Sequence, residues 1–266
     1  MKLVTTLTQS NTAHEPLVLV HGLGSAATAF KPIIPALSQH FRVITVDLPG
    51  HGQTPIDSSQ EMDPKSLGRA IFDTVESEYG VRAFHIAGNS LGGWIALEMA
   101  ADQSARIKTL TGLAPAGLWL KPASGRLPSQ AQSYYLAKLL KPLVKKGLHL
   151  KAMRKIGYST VSPKWQELSY EICYDAAVAM GNAKGYFPAW DGMLGRRFDS
   201  YVPETVPVRI VFGDTDNTLP FPISQERSLA PAHSMWQVID QCGHAPMWDQ
   251  PELIVAIIKE TITSLR

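Results

Sequence analysis

The sequence AFHIAGNSLGGWIALEMAA, residues 83–101, decides the fold class of this chain. Residues 83–87 form a short apolar run that predicts a buried β-strand, and residues 91–101 have the composition of a helix. Between them lies Gly88-Asn89-Ser90-Leu91-Gly92, a Gly-x-Ser-x-Gly sequence in the context of strand, sharp turn and helix. We therefore expect Ser90 to adopt a strained backbone conformation that projects its hydroxyl above the edge of a sheet.

Outward from this stretch, short apolar runs alternate with longer helical patterns. This alternation predicts an α/β fold in which helices cover both faces of a mostly parallel sheet. Ligands of such sheets bind at the carboxyl ends of the strands. Strands are predicted at residues 16–21, 42–47, 83–87, 107–113, 208–212 and 235–239, and helices at residues 27–39, 64–79, 91–101, 221–229 and 251–265.

The alternation stops between residues 118 and 197, where the sequence has no clear buried strand. Helical pieces separated by proline and glycine predict a mostly helical insertion there. The predicted organisation is a core of residues 1–117 and 198–266 with a helical lid at residues 118–197. Residues 118–166 carry ten basic residues and no acidic residue. Such a run is either a solvated helix face or a positive surface that attracts an acidic substrate or an anionic membrane.

Composition and charge exclude several classes of protein. The 266 residues are 45% hydrophobic and 18% charged, which is ordinary for a globular enzyme. A net charge of +2 gives no reason to expect a nucleic-acid partner. Two cysteines form neither a disulfide framework nor a zinc-site spacing, and no glycine-rich stretch matches a P-loop or dinucleotide fingerprint, so we predict no metal and no cofactor. Without a membrane-spanning run or a signal-peptide pattern, a cytoplasmic location is predicted; the oligomeric state stays open.

A serine hydroxyl needs an adjacent base to act as a nucleophile. Of the eight histidines, His244 follows the last predicted strand, in the sequence QCGHAP at residues 241–246. This position places it on a loop at the carboxyl edge of the sheet, and we predict that it is the base. The other histidines lie within a strand, in glycine-rich turns or outside any motif: His85, His21, His51, His14, His40, His149 and His233.

A third group, an acid, must orient the imidazole and stabilise its cation. Two candidates, Asp214 and Asp216, follow the strand predicted at residues 208–212. We favour Asp216 because the later position clears the end of the strand and can reach the His244 loop. Asp214 can instead hold the turn through backbone hydrogen bonds.

Two backbone amides are predicted to form an oxyanion hole. The sequence HGLG at residues 21–24 follows a predicted strand, so the N–H of Leu23 can point into the pocket, and the N–H of Leu91 is the second donor. Cys242 is not expected to act as a nucleophile beside a serine in such a turn. An apolar acyl pocket is predicted from seven side chains: Phe187, Trp190, Met193, Leu194, Leu219, Met247 and Trp248.

Five motifs, in this order, resemble those of the α/β-hydrolase superfamily: HGLG at 21–24, DLPGHG at 47–52, GNSLGG at 88–93, GDTD at 213–216 and GHAP at 243–246. The resemblance implies the α/β-hydrolase fold, with a helical lid between the sixth and seventh strands of the family and the chain order Ser, Asp, His. It also implies an acid three residues after the glycine of a G-x-x-D turn, which supports Asp216. Because the N-terminus is shorter than in many members, the first strands are expected to be reduced to residues 3–7.

Within the superfamily, the GNSLGG sequence resembles carboxylesterases and the carbon–carbon hydrolases that cleave ring-fission products. The resemblance implies a serine hydrolase that forms an acyl-enzyme on a small molecule with a carbonyl or ester group, and a carboxylic ester is the first choice. The alternative is a carbon–carbon hydrolase or lyase for an acidic diketo-type substrate. The basic lid favours this alternative, whereas Ala245, in place of an aromatic residue, opposes it. A third hypothesis is a ligand-binding receptor with a slow triad. Ser90 argues against the relatives that use an aspartate nucleophile.

Overall fold

The computed structural model describes residues 2–8, 13–126 and 128–263, without the side chains of residues 129 and 130. Its centre is a seven-stranded sheet with the order β1-β3-β2-β4-β5-β6-β7. Strand β1 pairs antiparallel with β3, and all other neighbouring strands pair in parallel. The strands are β1 Val4–Leu7, β2 Pro16–Val20, β3 Arg42–Asp47, β4 Phe84–Asn89, β5 Ile107–Leu113, β6 Val208–Gly213 and β7 Met235–Ile239.

The helices cover both faces of this sheet. They are α1 Ile34–Leu37, α2 Pro64–Tyr79, α3 Leu91–Asp102, α4 Pro128–Leu140, α5 Val144–Gly147, α6 Lys151–Tyr158, α7 Tyr170–Asn182, α8 Tyr186–Met193, α9 Pro246–Asp249 and α10 Pro251–Thr263. Short 3-10 segments lie at Ala27–Phe30, Ser104–Arg106, Lys141–Leu143 and Arg227–Leu229. No described helix is both long and apolar enough to cross a bilayer.

The central strands are apolar along their whole length because each of their faces packs against helices. One core cluster joins β4 to α2 and α3, and includes Ile86, Ile71 and Trp94. A second cluster, which includes Ile254 and Ile258, joins the sheet to α10. The predicted α/β fold with a mostly parallel sheet is therefore confirmed. The bounds of each predicted strand lie within two residues of the observed bounds.

Local signals account for the helix that was predicted most closely. Helix α2 begins after Asp63, whose carboxylate accepts hydrogen bonds from the N–H groups of Lys65 and Ser66. Pro64 occupies its first turn, and Gly80 ends it with a positive φ of 66°. Helix α10 also begins at a proline, and residues 264 and 265 of the predicted helix 251–265 lie outside the described residues.

Two helix predictions were wrong, one in extent and one in kind. Residues 27–39 form a 3-10 segment and the short helix α1, because Pro32 and Pro35 lack the N–H groups that a continuous helix needs. Residues 221–229 form turns and one 3-10 segment instead of a helix. There Pro222 supplies no N–H, and the N–H of Glu226 bonds to the distant carbonyl of Leu118.

The segment between β5 and β6 contains helices α4 to α8, and the structure describes no strand in it. We call residues 118–197 the helical insertion. Its two ends meet at the sheet, where the N–H of Phe198 donates to the carbonyl of Gly117 at 2.9 Å. The helical character agrees with the sequence, while the domain boundaries and the role of a lid stay predictions.

Candidate active site

Ser90 stands at the turn between β4 and α3 in a conformation that few residues adopt. Its φ of 56° and ψ of −118° lie outside the regions favoured by residues with a side chain. The surrounding backbone holds it there: the Ser90 N–H donates to Leu113, and the Ser90 carbonyl accepts from Ala116, each at 3.0 Å. Strain of this kind persists only where neighbouring structure enforces it, and it concentrates at functional sites.

The two glycines of the Gly-x-Ser-x-Gly sequence are required by close backbone contacts. A Cβ atom on Gly88 would lie 2.1 Å from the carbonyl oxygen of Gly92. One on Gly92 would lie 2.1 Å from the carbonyl oxygen of Val20, in the neighbouring strand β2. Only glycine allows β2, β4 and α3 to approach this closely, so these positions fix the turn that presents Ser90.

His244 and Asp216 form a buried pair at the carboxyl edge of the sheet. The Nδ1 atom of His244 lies 2.9 Å from Oδ2 of Asp216. The other carboxylate oxygen of Asp216 accepts hydrogen bonds from the N–H groups of Thr218 and Leu219, at 2.9 and 2.8 Å. The carboxylate is thus held by its own loop, which aims one oxygen at the imidazole.

Asp214, the competing acid, makes different contacts. It is exposed, and its Oδ1 atom accepts from the Cys242 N–H at 3.1 Å and from the Thr215 hydroxyl at 3.0 Å. These bonds hold the turn after β6 against the loop that leads to His244. The contacts match the turn-holding role that the sequence suggested for this residue.

Asn89 links the Ser90 turn to the His244 loop. Its side-chain amide donates to the carbonyl oxygens of Leu113 and His244, both at 2.9 Å. In the described part of the chain, no hydrogen bond joins the Ser90 hydroxyl to the His244 ring. Such bonds are often long in a free enzyme and shorten when substrate binds. The sequence analysis missed Asn89, although it stands inside the motif.

The buried acid Asp249 holds the His244 loop through hydrogen bonds. One carboxylate oxygen of Asp249 accepts the Gly243 N–H at 2.7 Å, and the other accepts the hydroxyl of Ser162 in the helical insertion. The His244 N–H donates to Val161, also in the insertion, at 2.7 Å. Burial raises the pKa of the Asp249 carboxyl, and the bonds from Ser162 and Gly243 act against this rise. No sequence pattern indicated these contacts between the insertion and the loop.

The HGLG loop lies directly against Ser90. A Cβ atom on Gly22 would lie 2.9 Å from the Ser90 Cβ and 3.5 Å from its Oγ. Leu91 begins α3, and the first N–H groups of a helix have no partner within it. Among the described backbone bonds, neither the Leu23 nor the Leu91 amide is a donor. Both amides are therefore available to an anionic oxygen beside Ser90, as the predicted oxyanion hole requires.

His21 braces this loop as a neutral ring. Its Nε2 accepts the Leu48 N–H at 3.0 Å, so the proton is on Nδ1, which lies 2.8 Å from the Gly22 carbonyl. Burial lowers the pKa of His21 to about 4. The ring therefore holds two loops together at neutral pH, consistent with a structural role.

Comparison with known proteins identifies the family. The model of the "Alpha/beta hydrolase family" matches residues 17–257. The chain belongs to the alpha/beta hydrolase family.

Three proteins are similar to this hydrolase. A pimeloyl-[acyl-carrier protein] methyl ester esterase of Aeromonas hydrophila is 25% identical over 255 residues, which cover 92% of this chain and 94% of that protein. A protein of the same name from Legionella pneumophila (strain Lens) is 38% identical over 98 residues, only 37% of either chain. The solved meta-cleavage product hydrolase of Pseudomonas fluorescens IP01 matches with a TM-score of 0.72 at 18% identity, covering 99% and 96% of the two chains. This last likeness concerns the fold alone.

Four of the predicted pocket residues of this hydrolase come together near the HGLG loop. Phe187, Trp190, Met193 and Leu194 belong to one apolar cluster with Leu23. The cluster also contains four side chains that the sequence analysis did not single out: Tyr134, Met180, Ala183 and Tyr186. The rings of Tyr134 and Tyr186 stack with their centroids 4.8 Å apart. Helices α4, α7 and α8 thus supply an apolar cover beside the predicted oxyanion hole.

The other three predicted pocket residues lie elsewhere in the hydrolase. Leu219 follows the Asp216 loop and packs against the core cluster of α2 and α3. Met247 is buried in the cluster that contains Ile254 of α10. The indole N–H of Trp248 donates to the carbonyl of Ala29 at 2.9 Å. The structure does not bring Met247 and Trp248 into the apolar cluster around Leu23.

Other chemistry at the site of the hydrolase has less support. Burial raises the pKa of the Cys242 thiol to about 12, and a thiol must ionise to attack a carbonyl. Both cysteines are free and buried. Among residues 2–8, 13–126 and 128–263, no three His, Cys, Asp or Glu side chains form a group that could hold a metal ion.

Proposed function

We propose that this alpha/beta hydrolase cleaves carboxylic esters of small molecules through an acyl-enzyme on Ser90. The observation that carries the proposal is the buried 2.9 Å contact between His244 Nδ1 and Asp216 Oδ2, on a loop that Asn89 ties to the Ser90 turn. This hydrogen bond holds the imidazole with Nε2 free to accept a proton. The names of the similar methyl ester esterases support an ester as the substrate class.

The proposed reaction has two acyl-transfer steps. The Ser90 oxygen attacks the ester carbonyl while His244 Nε2 takes the hydroxyl proton, and the Leu23 and Leu91 amides hold the resulting oxyanion. His244 then gives this proton to the alcohol oxygen, and the bond from carbon to the alcohol breaks. Water attacks the acyl-enzyme with His244 again as the base, which releases the carboxylic acid and restores Ser90. The apolar cluster around Leu23 accommodates the acyl group.

Hydrolysis of short p-nitrophenyl esters tests the proposal. We expect the wild type to turn them over and Ser90→Ala to lose roughly 10⁴- to 10⁶-fold in kcat, because no other group can form the acyl-enzyme. Equal turnover by both proteins would exclude Ser90 as the nucleophile. Cleavage of a vinylogous diketo acid without ester hydrolysis would favour the carbon–carbon alternative. Tight ligand binding without turnover of either substrate would favour a receptor.

Asp249 is expected to act as a positioning residue for His244. Asp249→Ala leaves the Gly243 N–H unpaired, so we expect kcat for a p-nitrophenyl ester to fall about tenfold at a nearly unchanged KM. Asp249→Asn should restore most of the rate, because its amide oxygen can accept from Gly243 and its N–H can donate to Ser162.

A matched control separates positioning from stability. Glu98 of α3 is also a buried acid with two donors, the Trp94 indole and the Ser200 hydroxyl, and burial raises its pKa. Glu98→Ala should lower the melting temperature without lowering kcat. If Asp249→Ala changed only the melting temperature, or if Asp249→Asn did not recover the rate, the positioning role would be wrong.

A further inference from the structure

The first part of the helical insertion, residues 118–166, has a charge opposite to that of the remaining chain. Residues 118–166 carry ten basic residues and no acidic residue. The whole chain has 25 basic and 23 acidic residues, so the remainder has 15 basic and 23 acidic ones. The proposed ester chemistry needs no such division of charge, which therefore calls for a separate explanation.

Helices α4 to α6 have one face in the protein and one in solvent. The inner face is buried through Tyr134, Val144, Leu148 and Tyr158. The outer face is exposed and carries six lysines: Lys138, Lys141, Lys145, Lys146, Lys151 and Lys155.

Large apolar side chains stand between these lysines. Six of the fifteen exposed large apolar side chains in the described chain lie between residues 135 and 156. Leu139 is 75% exposed and Ile156 62% exposed. Single exposed apolar residues are common, but a group of them indicates an interaction surface. The exposed apolar members of this surface are Tyr135, Leu136, Leu139, Leu143, Leu150 and Ile156.

The lysines of this surface are not neutralised by the protein. Lys141 bonds to the amide oxygen of Asn182. Within the described residues, no ion pair or hydrogen bond occupies the ammonium groups of the other five, whereas Lys31 elsewhere contacts Glu171 and Asp175. These cations are therefore available to an anionic partner.

A recess beside Lys151 extends the positive surface. It has a volume of about 290 Å³ and is lined by His149, Lys151, Arg154, Trp165 and Gln166. Arg154 donates from its terminal nitrogen to the carbonyl of Leu168, but its buried Nε has no hydrogen-bond partner. A buried donor without a partner is unusual, and Arg154 together with the exposed Lys151 gives this recess a positive lining.

We propose that this cationic and apolar surface, the outer face of α4 to α6, binds a bilayer that contains anionic lipids. The Leu and Ile side chains enter the boundary between headgroups and acyl chains, and the lysines contact lipid phosphates. Lysine suits this arrangement because its long apolar stem lies along the hydrocarbon while the ammonium reaches the headgroups. The recess beside Lys151 receives one phosphate headgroup.

Charge and residue type favour lipid over an acidic protein as the occupant. Protein interfaces are enriched in arginine and depleted in lysine. Every exposed cation on this surface is a lysine, and Arg126, nearby, already pairs with Asp191. The apolar residues also stand on the outer face of the helices, among the lysines. Binding uses no residue of the proposed active site, so it can be tested independently of ester hydrolysis.

Co-sedimentation of the full chain with vesicles tests this proposal. We expect binding to vesicles of phosphatidylcholine mixed with phosphatidylglycerol, and little binding to phosphatidylcholine alone. Lys145→Glu/Lys146→Glu should weaken binding by at least about tenfold. Leu139→Ser/Leu143→Ser keeps the charge and should weaken binding as well, because it removes the inserted groups. All variants should hydrolyse a soluble p-nitrophenyl ester as the wild type does, which shows that they are folded.

The control variant Lys2→Glu/Arg82→Glu makes the same change of net charge at two exposed cations that pair with Glu78 and Glu76 of α2, away from α4 to α6. It should retain most of the vesicle binding. Equal loss in this control would show attraction by overall charge alone and would overturn the proposal. Full competition by inorganic phosphate would reduce the surface to a single-anion site. A wild type that ignores anionic vesicles but binds an acidic carrier protein would make the surface a protein interface instead.

Discussion

Asp216→Asn is expected to lower kcat for a p-nitrophenyl ester by about 10⁴-fold. The asparagine oxygen can still accept the N–H groups of Thr218 and Leu219, so the loop should keep its conformation. Its amide nitrogen, however, would donate to His244 Nδ1 and place the ring proton on Nε2. A ring protonated at Nε2 cannot take the proton of Ser90, which is why the loss should be large while KM changes little.

Asp214→Asn is the matched control, since Asp214 lies two residues away on the same loop. Asp214 contacts Cys242 and Thr215 but not the imidazole. We expect its kcat to stay within a few-fold of the wild type, with a modest loss of thermal stability. If Asp214→Asn lost the activity and Asp216→Asn kept it, the assignment of the acid would be reversed.

His244→Ala is expected to lose nearly as much activity as Ser90→Ala, roughly 10⁴- to 10⁶-fold in kcat, because the two groups act as a unit. The double variant Ser90→Ala/His244→Ala should therefore lose little more than either single variant. The backbone bond from residue 244 to Val161 does not need the side chain, so the loop should stay in place. The measurement is initial rate with a p-nitrophenyl ester under saturating conditions.

His233→Ala is the control for this variant. His233 lies just before β7, and its ring nitrogen is 2.9 Å from the carbonyl of Val206. The ring contacts no residue of the proposed site. It should retain wild-type kcat. If the fold-losses of the two single variants multiplied in the double variant, Ser90 and His244 would act independently, and the account would be wrong.

The sequence predicted the nucleophile turn well because its determinants are local. Gly88 faces the carbonyl of Gly92 in the next turn of the chain, and this contact appears in the sequence as a short motif, whereas Gly92 faces Val20 of the distant strand β2. The choice of Asp216 over Asp214 also followed from a position relative to a strand end. The contact between Asp216 and His244 agrees with this choice, and the catalytic roles of the two residues stay predictions.

Contacts between distant segments could not be predicted in the same way. The bond from Asn89 to His244 joins residues 155 positions apart, and the bond from Ser162 to Asp249 joins residues 87 positions apart. Neither has a sequence pattern that connects its two ends. The helix predicted at 221–229 failed for the same reason, since the Glu226 N–H bonds to Leu118 across the fold.

The predicted pocket shows a further limit of sequence reasoning. Met247 and Trp248 stand three and four residues after His244, yet they pack against the α10 side of the sheet and Ala29. Closeness in sequence does not decide which side of a loop a side chain takes. Tyr134 and Tyr186, by contrast, meet only when α4 and α8 fold over the HGLG loop.

Labelling with a fluorophosphonate tests the central claim most directly, because this reagent traps an activated serine as a stable adduct. Intact-protein and peptide mass spectrometry should find one adduct, on the peptide that contains Ser90. Ser90→Ala should carry none, and labelling of His244→Ala should be strongly slowed. An adduct on another residue, or one that persists in Ser90→Ala, would contradict the account.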